Sequence, residues 1–252
     1  MTKVLATYNI KGGVGKTSAA VNLSYLAAHG GARTLLWDLD PQGAATYLFR
    51  VRPRVRGGGS RLVRLRSDPA KLIKGTDHRL LDLLPSDFSY RHMDLALEHV
   101  SPPTKGLAGV LEPLRDHYDY IFMDCPPSIS LVSESVFGVA GALLVPVIPA
   151  MLSARTFDQL SALVRGPQVL AFFSMVEVRK AHHRQVMARL RSVYEPTMLG
   201  AAIPNADEVE RMGVERNVVA AFAPKSGAAL AYEALWLDVR RRLARTVSGP
   251  SG

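Results

Sequence analysis

Short apolar runs alternate along the chain with longer amphipathic segments. The apolar runs predict buried strands, and the segments between them carry apolar residues at helical spacing. The predicted strands are 3–9, 33–37, 80–86, 119–123, 142–147, 168–176 and 197–203, and the predicted helices are 17–28, 87–99, 104–117, 130–140, 153–165, 179–192 and 226–246. This alternation predicts an α/β fold, a doubly wound and mostly parallel sheet with helices on both faces.

A glycine-rich loop, KGGVGKTS from Lys11 to Ser18, separates the first predicted strand from the first predicted helix. In this setting, backbone N–H groups and the helix N-terminus favour an anion at one point. Lys16 would place its charge on the β- and γ-phosphates of a nucleotide, and the Thr17 hydroxyl would bind Mg²⁺. A turn without a ligand is the alternative, but strand, lysine, hydroxyl and helix together favour a phosphate loop. The expected contacts are Gly12, Gly13, Val14, Gly15, Lys16, Thr17 and Ser18.

This loop departs from the common phosphate-loop pattern G-x-x-x-x-G-K-[ST] in two ways. Ile10 stands where the pattern has its first glycine, and Lys11 adds a second lysine. The additional lysine suggests a nucleotide that is shared between two subunits.

Aspartates follow two of the predicted strands. Asp38 and Asp40 end the second strand, where alternation places them on the same side of an extended chain, and Asp124 ends the strand at 119–123. Carboxylates at this end of a sheet, beside phosphates, usually serve a metal or a water molecule. Turn formation at Asp40-Pro41 and helix capping by Asp124 are the alternatives. The sequence therefore predicts a Mg²⁺ site of Thr17, Asp38, Asp40 and Asp124.

Length and composition bound the architecture. With 252 residues, 48% of them hydrophobic, the chain suits one domain over 1–252 with a basic insert at about 50–66 and a last helix at about 226–246. Cys125 is the single cysteine, which excludes a disulfide framework and a thiolate metal site. No signal peptide or long apolar run is present, so we expect a cytoplasmic protein without stable membrane association.

The charge of the chain favours a polyanionic partner. The formal net charge is +9, from 31 Lys and Arg against 22 Asp and Glu, which favours nucleic acid. Residues 50–66 contain seven arginines and no acid. Three forms of this insert stay open: an arginine-faced hairpin turned by its three glycines, a flexible basic arm, and a solvated loop without a polyanion. The side chains expected to contact DNA phosphates are Arg50, Arg52, Arg54 and Arg56.

A second basic segment lies in the predicted helix 179–192. Lys180, Arg184 and Arg191 fall on one face at helical spacing, with no acid between positions 178 and 192. They could contact DNA phosphates, which carry no sequence information and give steeply salt-dependent binding. A solvated helix face is the alternative.

The motifs KGGVGKTS, DLDPQG and DCPPS, in this order, resemble those of the ParA/Soj partition ATPases, in the deviant-Walker-A group that also contains MinD. The resemblance implies a P-loop NTPase fold, ATP and Mg²⁺ as cofactors, and a homodimer that encloses ATP. It also implies three catalytic residues: Lys11 reaching the partner's ATP, Lys16 on the phosphates, and Asp40 orienting or activating the attacking water. Asp38 and Asp124 would lie near Mg²⁺ through water, and Gln42, Pro204 and Asn205 would contact the nucleotide.

The function implied by this resemblance is ATP-dependent positioning. The dimer would bind nucleoid DNA without sequence specificity and would segregate a plasmid, a chromosome or a protein body such as a carboxysome. A ParB-like or other cargo adaptor would stimulate hydrolysis. One departure is that Asn205 follows Pro204 where many relatives carry a basic residue. The long arginine-rich insert favours a protein-cargo, McdA-like subtype.

Two other functions stay open. A MinD-like ATPase would bind membranes during division-site placement, through a detachable amphipathic helix at its end. Here the last helix carries Leu230, Leu235, Trp236, Val239 and Leu243, and we expect it to pack on the domain. A non-enzymatic DNA-binding module is the third possibility.

Overall fold

A computed structural model describes residues 1–247, of which 246 and 247 are described by their backbone. The strands are β1 (Lys3–Thr7), β2 (Thr34–Asp38), β3 (Lys74–Gly75), β4 (Leu81–Leu84), β5 (Tyr120–Asp124), β6 (Ala142–Val147), β7 (Gln168–Val176) and β8 (Met198–Pro204). Over this part of the chain they form one sheet in the order β3-β4-β2-β5-β1-β6-β7-β8. The pairings are parallel except that between β3 and β4. The predicted doubly wound α/β fold is therefore confirmed.

Helices cover both faces of this sheet. They are α1 (Lys16–His29), α2 (Ala44–Leu48), α3 (Gly58–Val63), α4 (Met93–Leu97), α5 (Thr104–Leu111), α6 (Leu131–Val139), α7 (Met151–Leu163), α8 (Ala181–Val193), α9 (Asp207–Glu215), α10 (Val219–Phe222) and α11 (Gly227–Val247). Short 3₁₀ turns lie at Pro69–Lys71, Phe88–His92 and Glu112–Leu114. One core packs α3 to α8 against the sheet, and the other packs α1 and α11 against its opposite face.

The predicted strands are present, and so are the predicted helices except over two segments. The predicted helix 104–117 is an α-helix only as far as Leu111 and continues as a 3₁₀ turn. The segment 87–99 is a 3₁₀ turn followed by the short α4, not one helix. The hydrophobic pattern of the chain does not predict β3, α2, α3, α9 or α10. These elements have nine residues or fewer, too few to repeat a clear hydrophobic period.

The arginine-rich insert is folded against the domain. Residues 51–55 are irregular, and the three glycines begin α3, with φ of +89° at Gly57 and +73° at Gly58. Val55, Leu62 and Val63 are buried in the core. The hairpin prediction is therefore wrong, and the insert is not a detached arm, because its apolar side chains anchor it.

The two basic segments lie at opposite edges of the sheet. Residues 51–56 share a surface cavity with Lys74 of β3, the strand at one end of the sheet. Helix α8 reaches the other end, where Arg191 donates a hydrogen bond to the Gly200 carbonyl of β8. With about 4.8 Å between neighbouring strands, the breadth of the sheet separates these edges by roughly 34 Å. The two segments therefore do not form one continuous basic surface on a subunit.

The last helix packs on the domain over the residues that the structure describes. Leu235, Trp236, Val239 and Leu243 of α11 are buried, whereas Leu230 is exposed. Trp236 contacts the rings of Tyr120 and Phe122 edge-on or tilted. The expected packing is thus confirmed for four of the five apolar residues. Within residues 1–247, no helix combines the length and apolarity that crossing a membrane requires.

Candidate functional site

The glycine loop joins β1 to α1 at the carboxyl end of the sheet. Gly13 and Gly15 have φ of +67° and +92°, in the left-handed region that favours glycine. A Cβ atom on Gly15 would lie 2.8 Å from the Ser174 Oγ of β7. Gly15 is therefore required by both the backbone conformation and the space available, and it allows α1 to begin at Lys16.

Lys16 occupies the start of α1 and is buried. Its Nζ donates a hydrogen bond to the Lys11 carbonyl at 3.0 Å. Burial lowers the pKa of Lys16, while the carboxyls of Asp124 and Asp40 act in the opposite direction. The ammonium is thus held against the backbone of the loop, near the carboxyls of Asp124 and Asp40.

Lys11 differs from Lys16 because its side chain is exposed. Its backbone N–H donates to Asn9 Oδ1 at 2.9 Å, and Asn9 Nδ2 donates to the Pro146 carbonyl of β6 at 2.8 Å. These two bonds fix the backbone of the loop on the sheet, while the Lys11 ammonium can extend away from it. No sequence motif indicates Asn9, because its role depends on β6 lying beside β1.

Asp38 and Asp124 end neighbouring strands, and both are completely buried. Asp38 Oδ2 accepts hydrogen bonds from the Thr46 N–H at 2.8 Å and the Thr46 hydroxyl at 2.7 Å. Thr7 Oγ1 donates to Asp124 Oδ1 at 3.2 Å. Within the described residues, Asp124 Oδ2 is buried without a hydrogen-bond partner.

Ionising both carboxyls is unfavourable, because they are buried and lie close together. Desolvation and the neighbouring carboxyl raise the pKa of Asp124, and the Thr17 and Thr7 hydroxyls oppose this rise. Desolvation also raises the pKa of Asp38, against the hydrogen bonds from Thr46. A cation at this position would offset the cost of ionising both groups. The unpartnered Asp124 oxygen and the Thr17 hydroxyl therefore fit a divalent metal such as Mg²⁺.

The described residues do not place three His, Cys, Asp or Glu side chains together as a metal-binding group. A Mg²⁺ ion here would take most of its ligands from Thr17, phosphate oxygens and water, the usual arrangement for this ion. The predicted set of Thr17, Asp38, Asp40 and Asp124 stays a prediction for residues that act partly through water.

Asp40 lies beyond the end of β2 and is half-buried. Its Oδ1 accepts a hydrogen bond from the Gln42 N–H at 2.9 Å, and its carbonyl accepts one from the Ser86 hydroxyl. Gly43, with φ of +65°, then begins α2. The Asp40 carboxylate thus sits in a braced turn with part of its surface open to solvent.

Pro204 and Asn205 lie at the carboxyl end of β8. The Asn205 N–H donates to the Val176 carbonyl at the end of β7 at 3.0 Å. This edge of the sheet also carries the glycine loop after β1, but the loop and Pro204 are separated by β6 and β7 in the sheet order. Nucleotide contacts at Pro204 and Asn205 stay predictions.

The predicted DNA contacts fall into three environments. Lys180 immediately precedes α8, and Arg184 and Arg191 lie along it. All three are exposed, and each also has a partner within the molecule, namely the Glu177 carboxylate, the Val178 carbonyl and the Gly200 carbonyl respectively. Arg50 lies on the surface but is paired within the molecule, with Asp77 Oδ2 at 3.3 Å and the Glu215 carbonyl at 3.1 Å. The remaining three, on the folded insert, are exposed: Arg52, Arg54 and Arg56.

Comparison with known proteins agrees with the fold and the motifs. Residues 2–169 match the AAA_31 family, described as an AAA domain. The sporulation initiation inhibitor protein Soj of Bacillus subtilis is 27% identical, with 97% of this chain and 99% of Soj covered. An uncharacterized protein of Pseudomonas putida is 30% identical, with 97% of both chains covered.

A solved structure of apo McdA from Cyanothece has the same fold, with a TM-score of 0.84 at 19% identity and coverage of 96% of this chain and 100% of McdA. The sequence matches extend beyond the glycine loop to nearly the whole chain. The chain therefore belongs to the AAA_31 family of AAA domains, and its similarity to Soj and the fold it shares with McdA and MinD support a ParA/MinD-type partition ATPase.

Proposed function

We propose that this chain binds ATP with Mg²⁺ in the glycine loop, dimerises around the nucleotide and hydrolyses it to control non-specific DNA binding. The observation that carries the proposal is the buried pair Asp38 and Asp124, whose unpartnered oxygen adjoins Lys16 and Thr17. A Mg²⁺ ion held by Thr17 would offset the negative charge of this buried pair, directly or through water. A structural neighbour, cobyrinic acid a,c-diamide synthase of Mycobacterium smegmatis, was solved with ADP and magnesium, which supports the same ligands here.

Each residue of the site has a distinct role in this proposal. Mg²⁺ supplies positive charge on the phosphates when it is bound. Lys16, which donates to the Lys11 carbonyl in the structure, would donate to phosphate oxygens instead, and the Thr17 hydroxyl would hold the metal. Asp40 accepts a hydrogen bond from the attacking water and orients it. Because its turn is braced by Gln42 and Ser86, its carboxylate is positioned before the nucleotide binds.

Lys11 is the residue through which hydrolysis depends on dimerisation. Its ammonium is exposed, whereas its backbone is fixed on the sheet. A fixed backbone with an outward cation suits a contact with the nucleotide of a second subunit. A cation that arrives from the partner stabilises charge on the transferring phosphoryl group only in the dimer.

The exposed face of α8 is the proposed DNA surface. Lys180, Arg184 and Arg191 contact phosphates there without reading bases, so the protein associates with the nucleoid wherever DNA is available. An adaptor, ParB-like or of another type, would stimulate hydrolysis and release the dimer. Repeated cycles would move a cargo, which is a plasmid, a chromosome or a protein body such as a carboxysome.

The test combines nucleotide, DNA and lipid in one set of measurements. We expect ATP with Mg²⁺ to produce a dimer that retards duplex DNA of any sequence in a gel-shift assay. With ADP, we expect no dimer and no DNA binding. The Lys16→Ala variant should lose about 2–3 kcal/mol of nucleotide affinity, or roughly 30- to 150-fold. Unchanged affinity in this variant would contradict the phosphate-loop assignment. ATP-dependent liposome binding without DNA binding would favour the MinD-like function instead.

A further inference from the structure

A basic groove lies beside β3, at the edge of the sheet away from α8. It consists of two adjoining cavities of about 610 and 580 Å³ that share Arg56, Lys71 and Leu72. We call this surface the edge groove. Among the described residues, six cations line it: Arg52, Arg54, Arg56, Arg61, Lys71 and Lys74. Asp68 is the acidic residue that lines it, and it lies 3.8 Å from the Lys71 ammonium.

Three of these cations are not neutralised within the molecule. Across residues 1–247, the side chains of Arg52, Arg56 and Lys74 have no hydrogen-bond or ion-pair partner. Arg50, in contrast, pairs with Asp77. The groove thus concentrates like charges at close range, which favours an anionic ligand.

The wall of the groove is anchored. The Val55 N–H donates to Asp87 Oδ2 at 3.0 Å, and the Gly59 N–H donates to Ser89 Oγ at 2.8 Å. A Cβ on Gly59 would lie 2.7 Å from the Tyr90 ring, so this glycine allows α3 to approach closely. The groove is therefore held by the fold rather than formed by a loose loop.

The lining also includes apolar side chains and a strand at the sheet edge. Leu72 is largely buried and Val51 is half-buried, so each offers a small apolar contact between the cations. Strand β3 ends the sheet, and no described backbone hydrogen bond joins it to residues 51–56. A strand with a free edge can pair with an extended segment of another protein.

We propose that the edge groove binds an acidic, extended segment of a partner protein. Alternate carboxylates of such a segment would pair with Arg52, Arg56 and Lys74, and the intervening apolar side chains would contact Leu72 and Val51. A concave groove with apolar lining suits a peptide better than duplex DNA, whose phosphates follow the outside of a wide rod. This site is separate from the nucleotide site and from α8, and its occupancy does not require ATP.

The test compares two triple variants with two probes. The edge variant is Arg52→Glu, Arg56→Glu and Lys74→Glu, and the matched control is Lys180→Glu, Arg184→Glu and Arg191→Glu on α8. The probes are a fluorescent twelve-residue peptide that alternates glutamate and valine, and a fluorescent DNA duplex. Fluorescence anisotropy of the full chain gives each affinity, and thermal unfolding checks that both variants fold.

We expect the edge variant to bind the peptide at least about tenfold more weakly, a change of about 1.4 kcal/mol, while the α8 control keeps the wild-type peptide affinity. Hydrogen exchange of residues 71–75 should slow when the peptide is bound. Equal loss of peptide binding in both variants would overturn the proposal, because it would indicate general charge attraction. It would also be overturned if the edge variant lost DNA binding and kept peptide binding, since the groove would then be a DNA site.

Discussion

Asp38 and Asp124 lie opposite each other in register on the neighbouring parallel strands β2 and β5. Both side chains are completely buried, and the Leu39 N–H donates to the Asp124 carbonyl at 2.9 Å. Two carboxyls are thereby held side by side without an internal cation bridging them in the described part of the chain. We therefore expect this pair to make the stability of the fold depend on pH and, in the nucleotide complex, on Mg²⁺.

The first prediction concerns the ligand-free protein. Because burial raises the pKa of both carboxyls in the folded state, the native state binds more protons than the unfolded chain, whose aspartates titrate near pH 4. The pair is therefore least unfavourable to the fold below about pH 4, where both carboxyls are protonated in either state. This contribution to the free energy of unfolding is lost as the pH rises through the folded-state pKa values. Replacing Asp124 by Asn should stabilise the ligand-free fold at pH 8 by roughly 1–3 kcal/mol, with a smaller difference at pH 5.

Urea unfolding at both pH values measures this effect. The same variant should lose most of the stabilisation that ATP with Mg²⁺ gives the wild type, since the carboxylate near the metal is gone. Asp82→Asn is a suitable control, because Asp82 on β4 is a half-buried aspartate outside the pair. Its carboxyl accepts a hydrogen bond from the Tyr118 hydroxyl at 2.8 Å, so this control measures the loss of a carboxylate that has a partner. An Asp124→Asn variant that is less stable than wild type at pH 8 would contradict the unfavourable pairing.

The sequence predicts the chemistry of this site better than its arrangement. Strand length and apolarity locate β1, β2 and β5, and the aspartates at the ends of β2 and β5 indicate a metal or a water. The adjacency of Asp38 and Asp124 depends on β2 pairing with β5, a long-range contact that no local pattern encodes. Thr46 caps Asp38 from α2, a helix of five residues that is too short to give a hydrophobic period.

The arginine-rich insert shows where local pattern misleads. Alternation of arginine with Val51, Pro53 and Val55 has the period of a strand, which predicts a hairpin. In the structure, Val55 packs in one core and Val51 against the other, so the segment passes from one face of the sheet to the other. Tertiary packing of two valines overrides the strand period, and the glycines supply left-handed backbone for the start of α3.

The second prediction is that Lys11 acts on the nucleotide of the partner subunit. Lys11→Ala should keep nucleotide affinity within about threefold and lose turnover by roughly a hundredfold or more, as for other cations supplied in trans. Turnover should return when this variant is mixed with Asp40→Ala, because a mixed dimer contains one site with both Asp40 and a partner's Lys11. Statistical mixing gives roughly a quarter of wild-type turnover. A mixture as inactive as its components would place Lys11 in its own subunit's site.

The third prediction separates the charge of Asp40 from the turn that holds it. Asp40→Asn keeps an oxygen that can accept the Gln42 N–H, so the turn should persist while the negative charge is lost. We expect nucleotide binding near wild type, hydrolysis reduced by about 10²-fold or more, and a dimer that stays on DNA for much longer. Single-turnover hydrolysis and the lifetime of the DNA complex measure these effects. Hydrolysis within a few-fold of wild type would exclude Asp40 as the residue that orients the water.

The fourth prediction concerns a reciprocal contact between α2 and α9. Arg50 donates to the Glu215 carbonyl at 3.1 Å, and Arg216 Nε donates to the Tyr47 carbonyl at 3.1 Å with its guanidinium 4.4 Å from the Tyr47 ring. Both arginines have left-handed backbone, with φ of +58° and +48°, which costs a non-glycine residue of order 1 kcal/mol. The contacts of the two side chains offset that cost.

Glycine at each position isolates the side chains, because glycine adopts positive φ without strain. Arg50→Gly and Arg216→Gly should each destabilise the fold by under about 1 kcal/mol, since the contacts are exposed, and alanine should be worse than glycine at both sites. In a double-mutant cycle we expect a coupling of about 0.5–1 kcal/mol in urea unfolding. Because α2 carries Thr46, which binds Asp38, the double variant should also weaken the Mg²⁺-dependent part of nucleotide affinity. Strictly additive free energies of unfolding would show that the two arginines act independently. In that case α9 would not be coupled through α2 and Thr46 to Asp38.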